Sequence, residues 1–153
     1  MHRVAVALGT NLGDREQTLR DASAALGAHI ADLRVSAFHD TAPVGLIDQP
    51  RFLNAAATGV TALAPRDLLD ALLEIERRFG RVRSIPNAPR TLDLDLILYA
   101  DRILEEAGLV VPHPRFRERP FVLGPLAEIA AEWIDPVTGM TVAELLADAG
   151  PAS

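Results

Sequence analysis

The chain contains no cysteine among its 153 residues, which excludes disulfides, thiolate zinc sites and thiol catalysis. Lysine is missing as well: all 15 basic residues are arginine. That removes Schiff-base chemistry on a side-chain amine and the phosphate-binding lysine of nucleotide loops. Any phosphate must then be met by arginine, histidine, backbone N–H groups or metal. No apolar run approaches the roughly 18–20 residues of a transmembrane helix. Met1-His2-Arg3 leads into a short strand-like run, without the apolar core and cleavage pattern of a secretory signal. A formal net charge of −6 argues against a general nucleic-acid or membrane-surface binder. These absences fit a cytoplasmic enzyme built as one domain over residues 1–153, since a chain of this length can bury a real core.

The most informative segment runs from Pro89 to Tyr99, Pro-Arg-Thr-Leu-Asp-Leu-Asp-Leu-Ile-Leu-Tyr. Leu92, Leu94, Leu96 and Leu98 alternate, so they are expected on one face of a strand, with Asp93 and Asp95 on the other. The two aspartates would stand roughly 6.6 Å apart along an extended chain, close enough to converge on a hard cation such as Mg²⁺. A half-solvated antiparallel strand would show the same alternation. The arginines cluster on both sides of this segment, with Arg77, Arg78, Arg81, Arg83 and Arg90 before it and Arg115, Arg117 and Arg119 after it. Arginine clusters in an acidic chain suit a small anionic ligand, because guanidinium forks match phosphate oxygens. Arg77 and Arg78 are read instead as solvating a helix end.

Along the chain, Val4 to Leu8 reads as a buried strand and Gly9 to Gly13 as a turn. Asp14 is an N-cap for a helix through about Leu26. A second strand fits Leu33 to Phe38, a loop Asp40 to Pro50, and a third strand Phe52 to Thr61. Pro65 opens a helix that Gly80 ends. Ser84 to Pro89 is a loop before the acidic strand. Strand-helix-strand twice over is the α+β, ferredoxin-like split βαβ pattern, an antiparallel sheet with helices packed on it. A short strand near Arg102-Ile103, a Pro-His-Pro loop and two brief helices follow, the last opened by a capping box from Thr141 to Glu144.

Several segments resemble one family, the 6-hydroxymethyl-7,8-dihydropterin pyrophosphokinases of folate biosynthesis. They are Leu8-Gly-Thr-Asn-Leu-Gly13, Thr41-Ala-Pro-Val-Gly45, Asp48-Gln-Pro-Arg-Phe-Leu-Asn-Ala-Ala56, Ile75-Glu76, Gly80-Arg-Val-Arg83, Pro89-Arg-Thr-Leu-Asp-Leu-Asp-Leu96, Val111-Pro-His113 and Arg119-Pro-Phe-Val-Leu-Gly-Pro-Leu126. The match runs in order over nearly the whole chain. The resemblance implies transfer of pyrophosphate from ATP to the hydroxymethyl oxygen of the pterin, with release of AMP. It implies that Asp93 and Asp95 hold two Mg²⁺ ions, that Arg81 and Arg90 act with them in catalysis, and that Glu76, Arg81, Arg83, Arg90, His113 and Arg119 lie around the ATP. Phe52 and Phe121 match a pair that stacks on the flat pterin ring, which suits aromatic faces. Asn54 matches the amide that reads the ring's polar edge, and the backbone of Thr41, Ala42, Pro43 and Val44 would complete that edge.

The chain departs from the family's usual pattern in places. Ser84-Ile-Pro-Asn-Ala-Pro89 lacks the usual tryptophan and its preceding basic residue, which predicts a weaker nucleotide clamp. Ala42 replaces a frequent proline, Pro114 a frequent tyrosine, and Phe52 stands where tyrosine is common. A monomer with ATP and the pterin as its ligands, and no nucleic acid or membrane, is expected. Two other readings of the same residues are a non-catalytic ferredoxin-like ligand-binding module and a metal-dependent phosphohydrolase. Release of AMP that requires a pterin alcohol would separate the first reading from both.

Overall fold

The structure, a computed structural model, describes residues 1–11, 13–41, 51–80 and 92–149. Its centre is strand β1 (His2–Thr10), whose residues Val4 to Leu8 are buried on both sides. β4 (Phe52–Thr61) and β5 (Asp93–Tyr99) flank it, both antiparallel, and β2 (Ala31–Val35) lies outside β4. The order β2-β4-β1-β5 is that of the split βαβ arrangement. The first strand is longer than expected. Gly9 and Thr10 are ladder residues paired with Asn54 and Leu53, not the start of a turn.

The expected second strand is also different. It ends at Val35, and a separate three-residue strand, β3 (His39–Thr41), pairs with β4 and runs into the segment from Asp40 expected to be a loop. Ser36 explains how the ladder survives the break. Its N–H donates to the Ala56 carbonyl at 2.8 Å, and its hydroxyl accepts the Ala56 N–H at 2.9 Å. One residue thus satisfies both of Ala56's backbone groups.

Helices α1 (Arg15–Leu26) and α2 (Pro65–Gly80) cover one face of the sheet. Asp14 caps α1 by accepting the Gln17 N–H at 3.2 Å, as its position predicts. On α2, Leu68, Leu72 and Ile75 are fully buried at helical spacing. A hairpin follows β5, β6 (Leu104–Glu106) and β7 (Leu109–Val111), turning at Gly108 with φ 73°. It stands just beyond the short strand expected at Arg102-Ile103. A 3₁₀ turn, Phe116–Glu118, leads into α3 (Pro120–Ala130) and α4 (Val142–Ala149), which cover the other face. The capping box is present: the Thr141 hydroxyl accepts the Glu144 N–H at 3.1 Å, and Glu144 accepts the Thr141 N–H at 2.9 Å.

Leu92, Leu94 and Leu96 enter the core under α1 and α2, but Leu98 does not share their face. The register with β1 shifts between Ala5, which pairs with Leu98, and Val6, which pairs with Leu96. This bulge adds Ile97 to β5 and inverts the alternation. Ile97 and Leu98 both turn to the α3 side, and Tyr99 returns to the first core, its hydroxyl donating to the Leu63 carbonyl at 2.7 Å.

Candidate functional site

Near one end of the sheet, on the α3 side, a cavity of about 310 Å³ opens. That is at the small end of the roughly 300–1,000 Å³ usual for small-molecule sites. Its floor follows from strand register. Gly9 lies between Asn54 on β4 and Asp93 on β5, and Ala7 lies between Ala56 and Asp95. Three of these six, Gly9, Asn54 and Ala7, form a floor with little or no side-chain bulk apart from the Asn54 amide, and the two acids rise at its β5 edge. Ala7, Gly9, Asn54, Asp93 and Asp95 all line the cavity, so the two acids share the face expected of them.

Gly9 leaves room for its neighbour. A Cβ added there would come within 2.9 Å of Asn54 Oδ1. The Asn54 side chain therefore lies across bare backbone. Its amide is buried, and Nδ2 donates to the Thr41 hydroxyl on β3 at 2.6 Å. Thr41 and Phe52 are register partners and also line the cavity. The opposite wall is the start of α3, with Phe121 and Val122, and Arg119 precedes it. The Arg119 guanidinium lies 5.7 Å from the Phe121 ring centroid. A positive side chain at a helix N-terminus makes this end of the cavity attractive to anions.

His113 stands close to this group without lining the cavity. Its N–H donates to the Ile97 carbonyl at 3.0 Å, which anchors it to β5 two residues from Asp95. Nδ1 accepts the Arg115 N–H at 3.2 Å, so a neutral ring carries its proton on Nε2. Burial pushes the imidazole below its usual range, and Arg119 and Arg115 push the same way, while Asp95 opposes them. Glu76 is buried under α2 and accepts the Leu94 N–H at 2.8 Å, between the two aspartates in sequence. It supports the acidic strand from the other core and does not line the cavity.

The structure thus gathers Thr41, Phe52, Asn54, Asp93, Asp95, Arg119 and Phe121 around one space, with His113 beside it. Ala42, Pro43, Val44, Arg81, Arg83 and Arg90, and the tryptophan-free loop Ser84 to Pro89, lie outside the described residues. Sequence reasoning missed Ala7, Leu8, Gly9 and Val122 as lining residues. Leu8, Gly9 and Val122 fall inside segments that carry the resemblance, with Gly9 read as part of a turn; Ala7 carried no signal.

The family model for 7,8-dihydro-6-hydroxymethylpterin-pyrophosphokinase matches residues 5–131. The chain belongs to this family. A 2-amino-4-hydroxy-6-hydroxymethyldihydropteridine pyrophosphokinase from Synechocystis sp. is 46% identical over 147 residues, covering 95% of this chain and 75% of that protein. The protein of that name from Pseudomonas aeruginosa is 44% identical over 152 residues, covering 96% and 91%. Among solved structures, Plasmodium falciparum HPPK-DHPS with pteroate superposes with a TM-score of 0.75 at 14% identity, over 96% of this chain and 42% of that one. At that identity the likeness concerns the fold alone, and it agrees with the α+β architecture expected for the family. Segments that carry the resemblance, around Asn54, Asp93, Asp95 and Arg119, contribute to the lining of the cavity.

Proposed function

We propose that this cavity is where the family's reaction takes place, with the pterin between Phe52 and Phe121 and the phosphates of ATP toward Asp93, Asp95 and Arg119. As a member of the family the chain is a pyrophosphokinase, transferring pyrophosphate from ATP to hydroxymethyldihydropterin in folate biosynthesis. The observation that carries the site assignment is the strand register, which brings the amide of Asn54 and both acids to one small-residue floor.

In the transfer, the hydroxymethyl oxygen bonds to the β-phosphorus of ATP. The bond from that phosphorus to the oxygen it shares with the α-phosphate breaks, AMP leaves with that oxygen, and the hydroxyl proton is released. Phe52 and Phe121 would hold the ring flat. Asn54 would pair with the ring's polar edge, its amide oriented by Thr41. Such an edge rejects analogues that cannot pair with it. Arg119 would neutralise phosphate charge, and neutral His113 could donate Nε2–H to a phosphate oxygen.

The donor set fits Mg²⁺. Asp93 and Asp95 offer hard oxygens from one strand face, and the described residues hold no cluster of three or more histidine or acidic ligands. A cation bound by two carboxylates keeps its remaining positions for phosphate oxygens and water. When bound, two Mg²⁺ ions would neutralise charge developing on the phosphates and align them for in-line attack. Calorimetry on Phe121→Ala tests the assignment. Pterin binding should weaken by at least ~0.5–1.5 kcal/mol beyond lost burial, with binding of ATP alone nearly unchanged. Equal losses for both ligands would make Phe121 a core residue instead.

A further inference from the structure

β3 has three residues and, among the described residues, pairs with β4 alone, yet it delivers Thr41 to the cavity. So few ladder bonds, each worth about 0.5–1.5 kcal/mol net, fix such a strand poorly. α3 supplies a second hold. Phe121 and Glu128 are two helical turns apart and share a face of α3. One end of that face gives Phe121 to the cavity. At the other end the Glu128 carboxylate reaches over to the chain before and within β3. Its Oε1 accepts the Ala37 N–H at 3.0 Å, and its Oε2 is hydrogen-bonded to His39 Nε2. His39 and Thr41 are alternate residues and so project to one side of β3. Thr41 in turn takes the Asn54 amide. The Glu128 contacts to Ala37 and His39 and the Thr41 contact to Asn54 are therefore joined through the backbone of this short strand, which links the α3 wall to the β4 floor.

We propose that His39 and Glu128 are a positioning pair that sets the spacing between the two walls of the cavity, and with it how tightly the acceptor ring is held. This rests on the cavity being the acceptor site. Neither residue lines the cavity, and both side chains are partly exposed, 32% and 37%. An exposed pair of this kind contributes little to global stability. Its consequence is geometric, because small misplacements in a binding site are expensive in rate and affinity. The pair needs a donor at the Nε2 position, since an ionised carboxylate only accepts. Glutamine at 39 can supply an amide N–H there; alanine cannot.

The test is steady-state kinetics on His39→Ala, His39→Gln, Glu128→Ala, the His39→Ala/Glu128→Ala double variant and Phe121→Ala, varying each substrate separately, alongside thermal unfolding. His39→Ala and Glu128→Ala should each raise the acceptor KM about tenfold while kcat and the ATP KM stay within about twofold. The double variant should be no worse than Glu128→Ala alone, because removing Glu128 already breaks the contact that His39 makes as well as the one to the Ala37 N–H. His39→Gln should restore most of the acceptor KM. An unchanged acceptor KM in His39→Ala, equal rises for both substrates, or failure of His39→Gln to rescue would overturn the positioning role. Phe121→Ala separates the two claims. If it raises the acceptor KM and His39→Ala does not, the pair is wrong and the cavity assignment stands. If Phe121→Ala leaves the acceptor KM unmoved, the cavity assignment fails, and the pair's role with it.

Discussion

The two faces of the sheet are built from the same strands to different ends. Toward α1 and α2, β1 and β5 present Val4, Val6, Leu8, Leu94 and Leu96, which meet Leu19, Leu26, Leu68, Leu72 and Ile75 in a continuous core. Toward α3 and α4 the alternate residues are Ala5 and Ala7 on β1 and Ala56 on β4, and near one end Gly9, Asn54, Asp93 and Asp95. Apolar bulk on the first face binds the helices down. Its absence at one end of the second leaves the volume that the cavity occupies. Stability and chemistry are thus assigned to alternate residues of one strand, and a substitution from Asp93 to Leu96, before the bulge, should affect one or the other according to parity.

The largest effect expected on that basis is at the acids. Asp93→Asn or Asp95→Asn should lower turnover by orders of magnitude with the melting temperature little changed, since the expected metal would lose a charged ligand. Near-normal turnover of both variants at saturating Mg²⁺ would break the assignment. One residue along, Leu96→Ala should do the reverse. Truncating this buried side chain should cost about 2–5 kcal/mol in denaturant unfolding, while turnover per folded molecule stays near wild type.

Asp135 probes whether the second face has a structural part away from the cavity. It is fully buried, and Arg117 donates to it from Nε at 2.5 Å and from Nη2 at 3.0 Å. Burial would raise its pKa, but Arg117, the Thr138 hydroxyl and the Val137 N–H outweigh that and hold it below the usual range. A depressed folded value means that its contribution is complete above the unfolded pKa of about 3.9 and is lost as pH falls through the folded one. Asp135→Asn should therefore cost about 3 kcal/mol at neutral pH, the low end for breaking a buried pair because Arg117 keeps some solvent access, and should flatten acid unfolding. The smallest effect belongs to Asp40, which is exposed and held low by Arg15 and Arg51. Asp40→Asn should barely move the melting temperature at any salt concentration.

Much of this was legible in the sequence because it is local. The Asp14 cap, the apolar stripe of α2, the Thr141 capping box and the Leu/Asp alternation of β5 are short-range patterns. The alternation misled only at Leu98, where the bulge depends on the partner strand and leaves no mark in β5 itself. β3 was hidden among prolines and a glycine, and three residues carry too little periodicity to find. The pairs that join distant segments, His39 with Glu128 and Arg117 with Asp135, lie 89 and 18 residues apart and have no sequence signature. Part of the cavity lining was invisible for a related reason: Ala7 and Val122 are ordinary residues that matter only where the strands and α3 meet.

The bond from Leu94 to Glu76 has a consequence beyond the site. Among the described strands β5 is the outermost on its side of the sheet, so its outward N–H groups could template pairing with another chain. An apolar stretch such as Leu96 to Tyr99 adds to that hazard when its edge is open. The Glu76 carboxylate takes one of those donors, and the His113 N–H takes the Ile97 carbonyl further along. Together with the charges of Asp93 and Asp95, these contacts turn the edge away from aggregation, so the strand that carries the acids is also guarded by them.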